Sequence, residues 1–182
     1  MKLSLSWIKD YVNIPEDADL KKLAYDLTMS TVEVEDVEEL ARRFDNMVVG
    51  VIEKIEPHPN ADKLRVCKVD IGGGEIKDIV CGGINLKEGM RVAVSCPGAV
   101  VRWHGEGEPV VIKNSKLRGV ESYGMICASD EIGLGELFPA EQEAEILDLS
   151  AFEVPAGTSL ADALDMNDIL LEIDNKSMTN RP

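Results

Sequence analysis

The residues best suited to chemistry are cations set beside rigid turns. Pro57-His58-Pro59-Asn60 fixes φ at two alternate positions, which holds His58 extended between stiff neighbours, and Asn60 and Asp62 are of types that hydrogen-bond their own backbone in a turn. That corner delivers Lys63 and Arg65 to the root of the strand that follows. A second group, Lys113, Lys116 and Arg118, runs at near-alternate positions into Gly119, so an extended backbone puts at least two of the three on one face. With Lys63, Arg65 and Lys68 they supply the only concentrated positive charge in the chain. Such charge beside a turn suits RNA phosphates or base edges. The candidate RNA-binding residues are therefore Asn60, Lys63, Arg65, Lys113, Lys116 and Arg118. His58 itself reads as part of a rigid corner whose polar groups satisfy the loop.

Other chemistries find no footing. There is no Gly-x-x-x-x-Gly-Lys-Ser/Thr loop, and Gly72-Gly73-Gly74 ends a strand without leading into a helix, so neither cradles a nucleotide. Two histidines far apart and no Gly-x-Ser-x-Gly elbow leave no readable nucleophile with its base. Asp130-Glu131 falls on a predicted helix surface. Cys67, Cys81, Cys96 and Cys127 include no Cys-x-x-Cys pair and read as reduced thiols filling small gaps in the core. No catalytic residue, metal ligand or cofactor site is expected. Trp103 and Tyr123 are the only aromatic residues between 45 and 137, which favours shape and phosphate recognition over extensive base stacking.

Charge is unevenly spread. The chain of 182 residues carries −15 overall, but residues 41–118 hold 13 basic and 10 acidic groups, whereas residues 119–150 hold 8 acids and no base. A local basic face therefore coexists with an acidic whole, and RNA contact should be weak and strongly salt-dependent. No run approaches the roughly 18 apolar residues of a membrane helix. The expected location is the cytoplasm.

Periodicity supplies the frame for these residues. A short helix is predicted around Ser6 to Tyr11, and a second from the i, i+3, i+4, i+7 spacing of Leu20, Leu23, Ala24 and Leu27, capped by Asp17 or Asp19. Val32, Val34 and Val37 suggest a strand. From Met47 the period becomes two, with five or six short strands separated by Gly-rich turns, as in a small Greek-key barrel. After Ser150 the pattern returns to a helix at Leu160, Ala163 and Leu164 and a strand at Ile169, Leu171 and Ile173. The expected class is α+β, mainly β: an oligonucleotide-binding (OB) barrel over 41–150, inserted into a small split α/β domain made of 1–40 and 151–182.

Three segments then stand out in fixed order. They are His58-Pro59-Asn60-Ala61-Asp62-Lys63-Leu64, Val80-Cys81-Gly82-Gly83-Ile84-Asn85, and Gly119-Val120-Glu121-Ser122-Tyr123-Gly124-Met125-Ile126-Cys127. The trio resembles the tRNA-binding OB module of several translation proteins. With Met1 to Ile8, Leu27 to Glu35 and Asp174 to Pro182, the chain resembles the N-terminal part of the bacterial phenylalanyl-tRNA synthetase beta subunit, although Gly83-Ile84 stands where that family often has Ala-Pro. The resemblance implies a fragment, inactive alone, of an α2β2 ligase that uses ATP and Mg²⁺ to attach phenylalanine to tRNA-Phe. The alpha subunit and tRNA would be its partners, with neither DNA nor membrane among them. Activation would sit in the alpha subunit, and editing and anticodon binding beyond residue 182. This part would serve assembly and auxiliary tRNA contact. The alternative is a stand-alone, structure-specific tRNA-binding or chaperone-like protein on the same barrel.

Overall fold

The computed structural model describes residues 1–174. The terminal landmark, from residue 175 to 182, lies outside the described residues. In chain order the elements are β1 (Lys2–Ser4), α1 (Leu5–Lys9), α2 (Leu20–Ser30), β2 (Glu33–Glu39), β3 (Met47–Pro57), β4 (Arg65–Asp70) and β5 (Ile76–Cys81). There follow β6 (Arg91–Ser95), β7 (Val100–Val101), β8 (Val110–Val111), β9 (Ser115–Leu117), β10 (Val120–Ser122), β11 (Met125–Ile126), α3 (Leu160–Ala163) and β12 (Ile169–Asp174). They form two compact units: Met1–Arg42 with the chain from Asp165 onward, and Arg43–Leu164 between them.

In the split unit β12 lies between β1 and β2, antiparallel to both, with Leu171 opposite Leu3 on one side and Val37 on the other. The two N-terminal strands thus become a sheet only when the distant strand is inserted. Leu20, Leu23 and Leu27 of α2 share one helix face and pack on the buried Leu5, Leu171 and Ile173. The cap of α2 is Asp19, whose carboxylate accepts from the N–H groups of Lys21 and Lys22 at 2.9 and 3.2 Å.

Asp168 ties the two pieces together. Its carboxylate accepts from Ser6 N–H (3.0 Å), Ile169 N–H (2.7 Å) and the hydroxyls of Ser4 and Ser6. Burial opposes its ionisation, but these hydrogen bonds prevail and hold the carboxyl below its ordinary value. A depressed carboxyl stabilises the fold above its unfolded pKa, near 4, and that contribution is lost as pH falls through the folded value. Asp168→Asn should therefore lower protection of the Leu171 amide from hydrogen exchange by about 1 kcal/mol at neutral pH, a figure discounted for partial exposure. The difference from wild type should shrink below about pH 4.

The second unit is a five-stranded antiparallel sheet in the order β11-β6-β3-β4-β5. Its long strand β3 pairs with β6 through Met47–Val51 and with β4 through Val51–Pro57, and a bulge between Ile52 and Lys54 lets it bend from one pairing to the other. At that crossing a Cβ on Gly50 would lie 2.6 Å from methyl carbons of both Val69 and Val94, so only glycine fits. The sheet curls until its edges meet: Tyr123 N–H donates to Asp78 O (2.9 Å), and Ser122 Oγ accepts from Val80 N–H (3.0 Å). Ile52, Cys67, Val69, Ile79, Val92 and Val94 fill the interior. This is the OB-type barrel inserted into a split α/β domain.

Cys67, Cys81 and Cys127 are buried free thiols within that unit, pushed up by burial to about 12, 11 and 12. At Gly83 a Cβ would lie 2.8 Å from Ile146 Cγ2, so any larger residue there would require Ile146 to shift. Residues 151–164, expected with the flanking domain, bind the barrel instead: Gly157 N–H donates to Val49 O (2.8 Å), Val49 N–H donates to Thr158 O (2.9 Å), and Leu160 is fully buried. The boundary therefore falls at Leu164.

Candidate nucleic-acid interface

The corner after β3 and the hairpin β9–β10 are built against each other. His58 is buried, with Nδ1 accepting from Asn60 N–H at 3.1 Å and Nε2 lying 3.1 Å from Leu117 O. Because Nδ1 is occupied as an acceptor, this network assigns the hydrogen to Nε2, which donates to that carbonyl. Asn60 Nδ2 donates to the next carbonyl, of Arg118, at 3.0 Å. The corner thus grips the hairpin tip by two successive backbone oxygens. Arg118 and Gly119 both have positive φ, +46° and +96°, which matches the right-handed twist of a two-residue hairpin turn. A non-glycine residue in that region costs roughly 1–3 kcal/mol. The grip from Asn60 helps to hold it.

The six sequence-predicted residues divide by role. Asn60 spends its amide on the hairpin. Arg65 Nη1 donates to Asp62 O and Leu64 O, both at 2.9 Å, and so braces its own loop. Lys63, Lys113, Lys116 and Arg118 are exposed, and among the described residues none has a carboxylate within ion-pair distance. Along β3 to β5, by contrast, Lys54, Lys68 and Lys77 are neutralised by Glu56, Asp78 and Glu75 at 2.7–2.9 Å. Hydrogen bonding to those carboxylates raises the ammonium pKa of Lys68 and Lys77. Positive charge outside ion pairs therefore collects at the corner and hairpin, although Glu121 stands opposite Lys116 across the hairpin.

The hairpin also separates two clefts. One, of about 860 Å³, runs between β5 and the hairpin and carries Lys68, Lys77, Lys116 and Tyr123, with Lys77 Nζ 4.9 Å from the Tyr123 ring centre. Lys113 lines the other, so the two lysines face different spaces. Lys77, Tyr123 and the exposed Ile76 were not among the predicted site residues. The signal for them was Ile76 itself, an apolar residue sharing the outward phase of Asp78 on a short strand. Among the described residues no three His, Cys, Asp or Glu side chains gather as a metal site, and no helix is long and apolar enough to cross a membrane.

This geometry coincides with a family match: the model of tRNA_bind, described as "Putative tRNA binding domain", matches residues 47–158, from the first residue of β3 to the residue whose carbonyl caps Val49. The chain belongs to the tRNA_bind family. This tRNA_bind chain is also 40% identical over 183 residues to the phenylalanine–tRNA ligase beta subunit of Prochlorococcus marinus, covering all of this chain and 21% of that protein. The same subunit of Coxiella burnetii is 41% identical over 174 residues, covering 96% of this chain and 20% of the relative. That of Cupriavidus pinatubonensis is 42% identical over 169 residues, covering 92% and 20%. The chain spans about a fifth of the length of these relatives.

Proposed function

We propose that this tRNA_bind chain is a non-catalytic part of a phenylalanine–tRNA ligase beta subunit and that its barrel makes an auxiliary contact with tRNA-Phe. What carries the reading is unpaired positive charge at the corner and hairpin of a tRNA_bind barrel, in a chain that matches beta subunits over its whole length. The whole ligase would work in the cytoplasm with an alpha subunit in an α2β2 assembly. ATP and Mg²⁺ would be used by the whole ligase.

In the contact itself, Lys63, Lys116 and Arg118 meet phosphates, while Asn60 and Arg65 hold the corner that presents them. Lys113 lies on the far side of the hairpin, in a cleft with four carboxylates, and adds least to the contact. Each phosphate contact should release about one counterion, so replacing Lys113, Lys116 and Arg118 by Ala should flatten the salt dependence of tRNA-Phe binding by 2 to 3 in log–log slope, roughly. Lys116 and Arg118 should account for most of it. Salt-titrated fluorescence anisotropy with labelled tRNA-Phe reads this directly, first on the chain and then on the assembled ligase. An unchanged slope would make the patch a solvated surface and remove the RNA contact from the reading.

A further inference from the structure

The second cleft, of about 870 Å³, is more apolar and more acidic than the first. Its walls include Val110, Ile112, Leu117 and Met125, and Trp103 and Val111 stand about half exposed at it. Its carboxylates are Asp130, Glu131, Glu143 and Glu145, against Lys113 and His104. A polyanion is disfavoured there by charge alone. The acidic wall is also preformed. Asn85 bonds Ile146 in both directions at 2.9 Å, and Glu145 Oε2 accepts from Glu141 N–H (2.8 Å) and Gln142 N–H (3.3 Å).

A third property narrows the occupant. Among the described residues strand β8 pairs only with β7, and β9 only with β10, each in a two-stranded sheet, so both keep one edge without a strand neighbour among those residues. Residues of 110–117 from both strands and their link line the cleft. A free strand edge beside an apolar groove accepts an added strand by main-chain hydrogen bonding, with alternate side chains entering the groove.

We infer that this cleft docks an extended polypeptide segment of a partner protein in which apolar side chains alternate with Lys or Arg. The apolar residues seat on Val110, Leu117 and Met125, and the cations meet Glu131, Glu143 and Glu145. Burial raises the Glu131 carboxyl above its ordinary value, and a docked cation would draw it back down. The inference does not rest on the RNA reading, since the two clefts lie on opposite sides of the hairpin.

The test is an NMR titration of the isotope-labelled chain with a capped Lys-Val-Lys-Ile-Lys-Val peptide. Controls are the peptides with Glu for Lys and with Ser for Val and Ile, and a uridine hexanucleotide. The docking groove predicts saturable shifts of the 110–117 amides and the Trp103 indole. Affinity should be about tenfold or more above either control peptide, and Glu143→Lys should weaken it several-fold. Glu143 is exposed, so this variant leaves the fold intact. Equal response to the Glu peptide, no saturation at millimolar peptide, or stronger shifts at the same amides with the RNA would each overturn the inference. So would concentration-dependent shifts at 110–117 without peptide, which would make a second copy of the chain the occupant.

Discussion

Gly124→Ala should destabilise the barrel unit by about 3 kcal/mol, near the upper end of what one inserted methyl group costs in a packed interior. A Cβ at this position would lie 2.4 Å from Ser95 O and 3.4 Å from the Ser95 carbonyl carbon. The obstruction is backbone. Ser95 ends β6, is fully buried, and is held in register between Met47 and Met125, so it has nowhere to move. The control is Gly73→Ala, where φ is +65° but nothing lies within 4 Å, and where about 1 kcal/mol of backbone strain is the whole cost. Denaturant melts of both variants, followed by a probe inside the barrel, measure the difference. Equal losses would mean that the strand ends at Ser122–Ile126 yield easily and that barrel closure is loose.

That closure also marks where sequence pattern stops being informative. Strands β3 to β6 announce themselves because Val, Ile and Cys recur where the barrel interior needs them, and α2 because Leu20, Leu23 and Leu27 fall on one face. The hairpin β9–β10 carries no such alternation. Its tip is Arg-Gly rather than the usual Asn-Gly, so the turn is legible only through its dihedral angles. The acidic, mixed character of residues 151–164 points to the flanking domain, yet a pair of hydrogen bonds to Val49 decides their place, and composition holds no record of such long-range pairing. Among the candidate site residues, Asn60 is legible as a turn residue and Arg65 as a cation at the root of the strand that follows. What Asn60 holds, the Arg118 carbonyl, depends on how the chain returns to this corner after more than fifty residues, whereas Arg65 braces the local carbonyls of Asp62 and Leu64. Lys113 and Lys116 look equivalent in sequence, and the hairpin sets them in opposite clefts.

His58→Ala separates presentation of charge from charge itself. The imidazole is 5% exposed and bonds both the Asn60 N–H and Leu117 O, so its removal leaves two polar groups without their partner and a cavity at the corner. The expected loss is about 2–4 kcal/mol of barrel stability. On our reading of the interface the same change should lower tRNA-Phe affinity by roughly tenfold, because the hairpin tip is no longer gripped and Lys63 and Arg118 lose their fixed relation. No phosphate-binding cation has been removed, however, so the log–log salt slope should stay near the wild-type value, whereas Arg118→Ala should lower it by about 1. Measuring affinity at several salt concentrations, at a temperature where the variant remains folded, tells the cases apart. A slope that falls as it does for Arg118→Ala would place the imidazole in contact with phosphate. An affinity that does not change while stability drops would make the corner purely structural and leave the hairpin able to present its charges without it.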